Sequence, residues 1–169
     1  MCLRCFRKKF KDVIEYDDPM GVSVQSLTLH RSNDDGELGD PVAGLFYTTE
    51  ERIYARIELN RIEPGLKGKI SWICRDSYGV GLSLFFVPTE FLFSHIFLAV
   101  PPNFEIVSCL VEPIQMAVIY AHAELPRSWP PGTYDVRFFI NDKLARVAPF
   151  KIIEPKTIDP REEMTDTLL

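Results

Sequence analysis

The chain has 169 residues, a net charge of -5, and is 46% hydrophobic and 12% aromatic. That length suits one domain with a core of its own, stable without a disulfide or metal staple. The composition excludes a disordered chain, and the acidic balance argues against nucleic acid, whose phosphates are gripped by clustered Lys and Arg.

Residues 1–20 run basic and then acidic without period and read as a tail. The start, MCLRCFRKKFK, lacks the apolar stretch of roughly 7–15 residues that marks a secretory signal. Reduced cysteines and a cytoplasmic location are the expectation. Cys2 and Cys5 stand beside Arg4, Arg7, Lys8, Lys9 and Lys11. Two acyl chains next to a polybasic stretch can hold a protein on an anionic bilayer, so both cysteines are candidate lipidation sites. Residues 1–11 would then make peripheral membrane contact. Read as C-x-x-C, the same pair lacks the further ligands of a zinc site and the βαβ context of a redox motif.

Val22 to His30 places Val22, Val24, Leu27 and Leu29 in an alternation that slips at Gln25–Ser26. The slip predicts a strand with a bulge. SNDDGELGD follows as turn chemistry. Its Asn33, Asp34, Asp35, Glu37 and Asp40 could offer oxygens to calcium, but the D-x-D-x-D-G register is missing, so a solvated turn is expected. Ile53 to Asn60 alternates strictly, with Ile53, Ala55, Ile57 and Leu59 on one side, and predicts a half-buried strand. Pro64–Gly65 marks a turn. Lys69 to Arg75 alternates again, with Ile70, Trp72 and Cys74 inward.

Val80 to Val100 has the length of a membrane span, but Pro88, Glu90 and His95 interrupt it and the span is rejected. The segment holds the densest apolar cluster. Phe86, Phe91, Phe93 and Phe97 are its candidate partner-binding residues, with burial in the core as the competing reading. Ile114 to Leu125 predicts a long strand, and PRSWPPG a rigid turn. Tyr134, Val136, Phe138 and Ile140 alternate along the next strand. Asn141-Asp142-Lys143 makes a short hairpin connection to Leu144–Ile153. Pro149 inside that return strand predicts an edge position or a bulge, because proline cannot donate to the ladder.

The run SWPPGTYDVRFFINDKLARVAPFKI resembles prokaryotic immunoglobulin-like or fibronectin-III-like domains. In these, a near-terminal strand opens after a W-x-x-G-x-Y turn and hairpins through a short turn. The matching residues are Trp129, Pro131, Gly132, Tyr134, Asn141, Lys143 and Phe150, and Trp72 falls where such domains bury a tryptophan on a central strand. The resemblance covers residues 22–153 and implies fold rather than role. Cys74 and Cys109 are not spaced as an antibody-type pair, and 76–113 is longer than a plain sandwich needs.

The expected fold is all-β: an immunoglobulin-like antiparallel sandwich over 21–154, with an apolar insertion and short irregular termini at 1–20 and 155–169. Its core would include Trp72, Ile57, Tyr134, Val136 and Phe138. No catalytic, cofactor or metal residue is assigned. His30, His95 and His122 are scattered, no G-x-S-x-G, G-x-G-x-x-G or P-loop occurs, and Cys74 and Cys109 read as inert thiols in apolar surroundings. The expected function is a non-enzymatic protein-interaction or accessory module, binding another protein or a second copy of itself, with no nucleic acid and no cofactor. One alternative is a small-molecule or glycan-binding sandwich, for which Trp129 and Tyr47 would be exposed together. The other is a membrane-tethered adaptor acylated at Cys2 and Cys5.

Overall fold

In a computed structural model of the chain, the described residues are Ile14, Tyr16, 21–77 and 103–155. They form nine strands and, among themselves, no helix. The strands are β1 (Val24–Ser32), β2 (Leu38–Val42), β3 (Leu45–Tyr47), β4 (Arg52–Leu59), β5 (Gly68–Ser77), β6 (Phe104–Val111), β7 (Val118–Glu124), β8 (Gly132–Ile140) and β9 (Lys143–Ile153). Two sheets result, with orders β2-β1-β4-β7 and β3-β9-β8-β5-β6.

Period-2 patterning decides which side of each strand is buried. On β4, Ile53, Ala55, Ile57 and Leu59 point into the core; on β7, Ile119, Ala121 and Ala123 do the same. From the other sheet come Ile70, Trp72 and Cys74 of β5, Tyr134, Val136, Phe138 and Ile140 of β8, and Phe150 and Ile152 of β9. These side chains form one contiguous cluster, so the sheets share a single core. The five residues expected there from the sequence are all buried.

Several local expectations hold. The register between β1 and β4 slips between Val24 and Ser26, where the alternation broke. Asn141 and Asp142 turn the β8–β9 hairpin with φ of 49° and 64°, between the paired Ile140 and Lys143. That is a two-residue turn of the kind whose twist matches the strands.

Others need correction. The 114–125 strand begins only at Val118. Ile114 is buried instead in the preceding loop, its N–H bonded to Leu66 O at 2.8 Å. Part of the 33–40 turn region is β2, which pairs with β1 despite its proline. β3, unforeseen, pairs in parallel with the end of β9, Leu45 opposite Lys151 and Tyr47 opposite Ile153. β9 therefore has neighbours on both sides there and is not an edge strand. Pro149 still fits, because β3 reaches only Lys151–Ile153 and Pro149 lies before that pairing starts. The apolar segment containing Phe86, Phe91, Phe93 and Phe97 lies outside the described residues, as do Cys2, Cys5 and His95. No helix among the described residues is long and apolar enough to cross a membrane.

Candidate functional site

The side of the four-stranded sheet turned away from the core is polar and aromatic. Strand register sets its side chains in cross-strand rows: His30, Tyr54 and His122; Thr28, Arg56 and Tyr120; Ser26, Glu58 and Val118. Arg52 and Glu124 form a further pair beyond the histidine row. Consecutive rows lie two residues apart, about 6.8 Å along the strands.

The histidine row is held from one side. Tyr54 donates its hydroxyl to Gly36 O at 2.6 Å, and Arg52 donates to the same carbonyl at 3.0 Å. Gly36 stands at φ 78° in the β1–β2 turn, where glycine is accommodated without strain. The His30 Nδ1 lies 2.9 Å from Gly39 O, which can only accept, so Nδ1 is assigned the proton; Nε2 is 2.9 Å from Thr28 Oγ1. Across the strand, the Tyr54 and His122 rings meet with centroids 5.2 Å apart.

The charges on this face balance. Arg52 bonds Glu124 at 2.8 Å and Arg56 bonds Glu58 at 3.1 Å. The hydrogen bond from Arg52 holds the Glu124 carboxyl below its ordinary value. Arg56 is raised above its ordinary value chiefly by the Tyr120 hydroxyl, with burial opposing and Glu58 adding. Tyr120 is 55% exposed, beside an exposed His122. The result is a flat face carrying an open phenol ring, an imidazole and two guanidinium groups held in place by carboxylates.

The opposite side of the five-stranded sheet carries another polar cluster. Asp135, fully buried on β8, accepts hydrogen bonds at one carboxylate oxygen from Arg75 and Arg137. Burial pushes its carboxyl up, and the two arginines oppose that shift. Arg137 also donates to Asn103 Oδ1 at 3.3 Å. The other Asp135 oxygen, Oδ1, is buried without a hydrogen-bond partner.

The remaining sequence candidates are dispersed. Asn33, Asp34, Asp35, Glu37 and Asp40 lie in and beside the β1–β2 connection, where Asn33 Oδ1 caps the Glu37 N–H at 2.7 Å. No three His, Cys, Asp or Glu side chains among the described residues are arranged to hold a metal ion. Cys74 is buried, which pushes its thiol up. Cys109, expected in apolar surroundings, is exposed instead, on β6 at the edge of its sheet. Trp129 is only 1% exposed, and Tyr47 is half-buried under the Arg31 guanidinium, so the two do not form the open pair a glycan site would have used. Sequence reasoning passed over Tyr54 and Tyr120. The alternation of Val118–Glu124 is the signal that would place Tyr120 and His122 on one side of their strand, but only the register sets Tyr54 between the two histidines.

No family model matches the chain, and no curated protein does. Among solved structures it is similar to the Pseudomonas fluorescens alkylpurine DNA glycosylase AlkC bound to DNA containing an abasic site analog. Identity is 13% and the TM-score 0.40, over 78% of this chain and 30% of that one. Against the expectation of a non-enzymatic module working without nucleic acid, the similar protein is an enzyme and is bound to DNA. A likeness this distant assigns neither activity nor substrate here. The weight falls on the sheet face itself.

Proposed function

We propose that the chain is an immunoglobulin-like sandwich whose four-stranded sheet presents a stacking face for the unpaired bases of single-stranded nucleic acid. The fold reading is supported by the parallel pairing of β3 with β9 and by Trp72 buried on the central β5. It is supported too by the Tyr134 hydroxyl, which donates back to Pro130 O at 2.7 Å at the corner entering β8. Such a bond is similar to the tyrosine corner of these domains.

The observation carrying the functional reading is the exposed Tyr120, in a row with Arg56 and next to the Tyr54–His122 ring pair. Open aromatic rings with adjacent guanidinium groups stack any base, because every base has a π-face. The charge balance shapes the mode of binding. Arg52 and Arg56 are already paired with carboxylates and the chain carries a net charge of -5, so long-range attraction of phosphates is weak. Binding would rest on stacking at short range.

The test is titration of a fluorescein-labelled oligothymidine at several salt concentrations, with a duplex of the same length as control. With no more than two phosphates neutralised, the slope of log K against log salt should be no steeper than about -1.4. Tyr120→Ala should weaken binding about 5- to 150-fold, the equivalent of one lost base stack. Equal binding of duplex, a steep salt slope, or an unchanged Tyr120→Ala affinity would each overturn the reading.

A further inference from the structure

The end of the sandwich where β3 and β9 finish and β8 begins carries a cleft of about 530 Å³. Thr48, Arg127, Ser128, Trp129 and Glu154 line it, with prolines making the apolar wall. The cleft is built on fixed backbone. Thr48 N–H bonds Ile153 O at 3.0 Å, joining two of the segments. The bond from Tyr134 to Pro130 O holds the third.

Arg127 and Glu154 bring one charge of each sign to it. Arg31, Arg52, Arg56 and Arg61 each pair with a glutamate. Arg127 and Glu154 line the same cleft, yet neither side chain has an ion pair or hydrogen bond among the described residues, with each other or with anything else. Trp129 adds a buried indole N–H that also lacks a partner. Such a donor is costly to leave unmet. A simple anion would gain Arg127 but face Glu154; a simple cation would meet the reverse. A ligand carrying both charges satisfies both side chains.

We propose that this cleft binds a small zwitterion of the α-amino-acid class, its carboxylate on Arg127 and its ammonium on Glu154, with the side chain against the prolines. The volume falls within the range of small-molecule sites, roughly 300–1,000 Å³. The inference does not rest on the sheet face, because none of the residues lining the cleft belongs to its cross-strand rows.

The test is isothermal titration of the full chain with L-phenylalanine, glycine, N-acetyl-L-phenylalanine, L-phenylalaninamide and inorganic phosphate. Saturable binding of L-phenylalanine or glycine is expected, with each blocked derivative weaker by at least about tenfold. Arg127→Gln and Glu154→Gln should each lose at least about tenfold against the free amino acid. Their melting temperatures should match the parent, because neither side chain is tied into the fold. Absence of saturable binding, N-acetyl-L-phenylalanine binding as tightly as the free amino acid, or phosphate binding more tightly than either would overturn the proposal. The ligand series on the unaltered chain decides the matter even if a variant fails to fold.

Discussion

Replacing Tyr134 by phenylalanine removes one buried hydroxyl, which bonds Pro130 O and also the Cys74 side chain. The phenylalanine ring keeps the stacked contact with Phe150, at 5.2 Å and 19°, and the edge contact with Trp129 at 5.8 Å. What disappears is the hydroxyl bonded to Pro130 O at 2.7 Å. A buried hydrogen bond contributes about 0.5–1.5 kcal/mol net, rising to about 1–3 kcal/mol when its partner is stranded away from water. Stranding puts the expected loss near 2 kcal/mol, or about 4–8 °C in melting temperature for a chain of this size. Urea unfolding at pH 7 reads it directly, because Trp72 and Trp129 are both buried reporters.

The same hydroxyl creates a pH signature. Burial first, and then the neighbouring Cys74, push the Tyr134 phenol well above its ordinary value, near 10. Above that pH the unfolded chain loses a proton that the folded chain keeps. The native state then binds more protons, so stability falls as pH rises past about 10, by about 1.4 kcal/mol per unit. Tyr134→Phe has no such slope, and at about pH 11 its deficit against the parent should shrink by about 1.4 kcal/mol. A neutral-pH loss under about 0.3 kcal/mol, or a deficit that stays constant into alkali, would refute the argument.

Trp72→Ala, emptying the centre of the core, should cost about 3–5 kcal/mol in the same urea assay; a loss below about 1 kcal/mol would mean the site collapses or the side chain is not central. Asp135→Ala should cost about 3–5 kcal/mol, because it leaves Arg75 and Arg137 without the carboxylate they share. An equally stable variant would show that burial of that carboxylate cancels its bonds. Asp142→Gly should stabilise by about 0.5–1 kcal/mol, since Asp142 is held at φ 64° in a turn position that favours glycine. A lower urea midpoint at constant m-value would contradict the turn assignment.

What could be read from the sequence was local. Ile53 to Leu59 alternates over a whole strand, and the slip at Gln25–Ser26 is a change of phase that only a bulge repairs. Asn141–Asp142 announces its turn because few residues accept positive φ. The misses depended on distant chain. Leu45–Tyr47 is too short to show a period and is a strand only because Lys151–Ile153 lies beside it. Leu38–Val42 reads as turn because of its glycine, aspartate and proline, and is held extended by β1. Phe104–Val111 hides its pattern because it is an edge strand with a bulge opposite Trp72–Ile73, leaving Ser108, Cys109 and Leu110 exposed in succession. The candidate site failed for the same reason. His30, Tyr54 and His122 become neighbours only through the registers of two strand pairs.

The parallel pairing of β3 with β9 has a consequence for synthesis. Among the described residues, Leu45–Tyr47 is made well before its partner, which lies in the last of the nine strands. Until then Phe46 lacks Phe150, whose ring it meets edge-on at 5.6 Å in the finished fold. A nascent chain that still lacks β9 therefore leaves the β9-facing edge of β8 unpaired, an open ladder that invites pairing with other chains. Contacts this distant in sequence also place folding in the slow range, milliseconds to seconds.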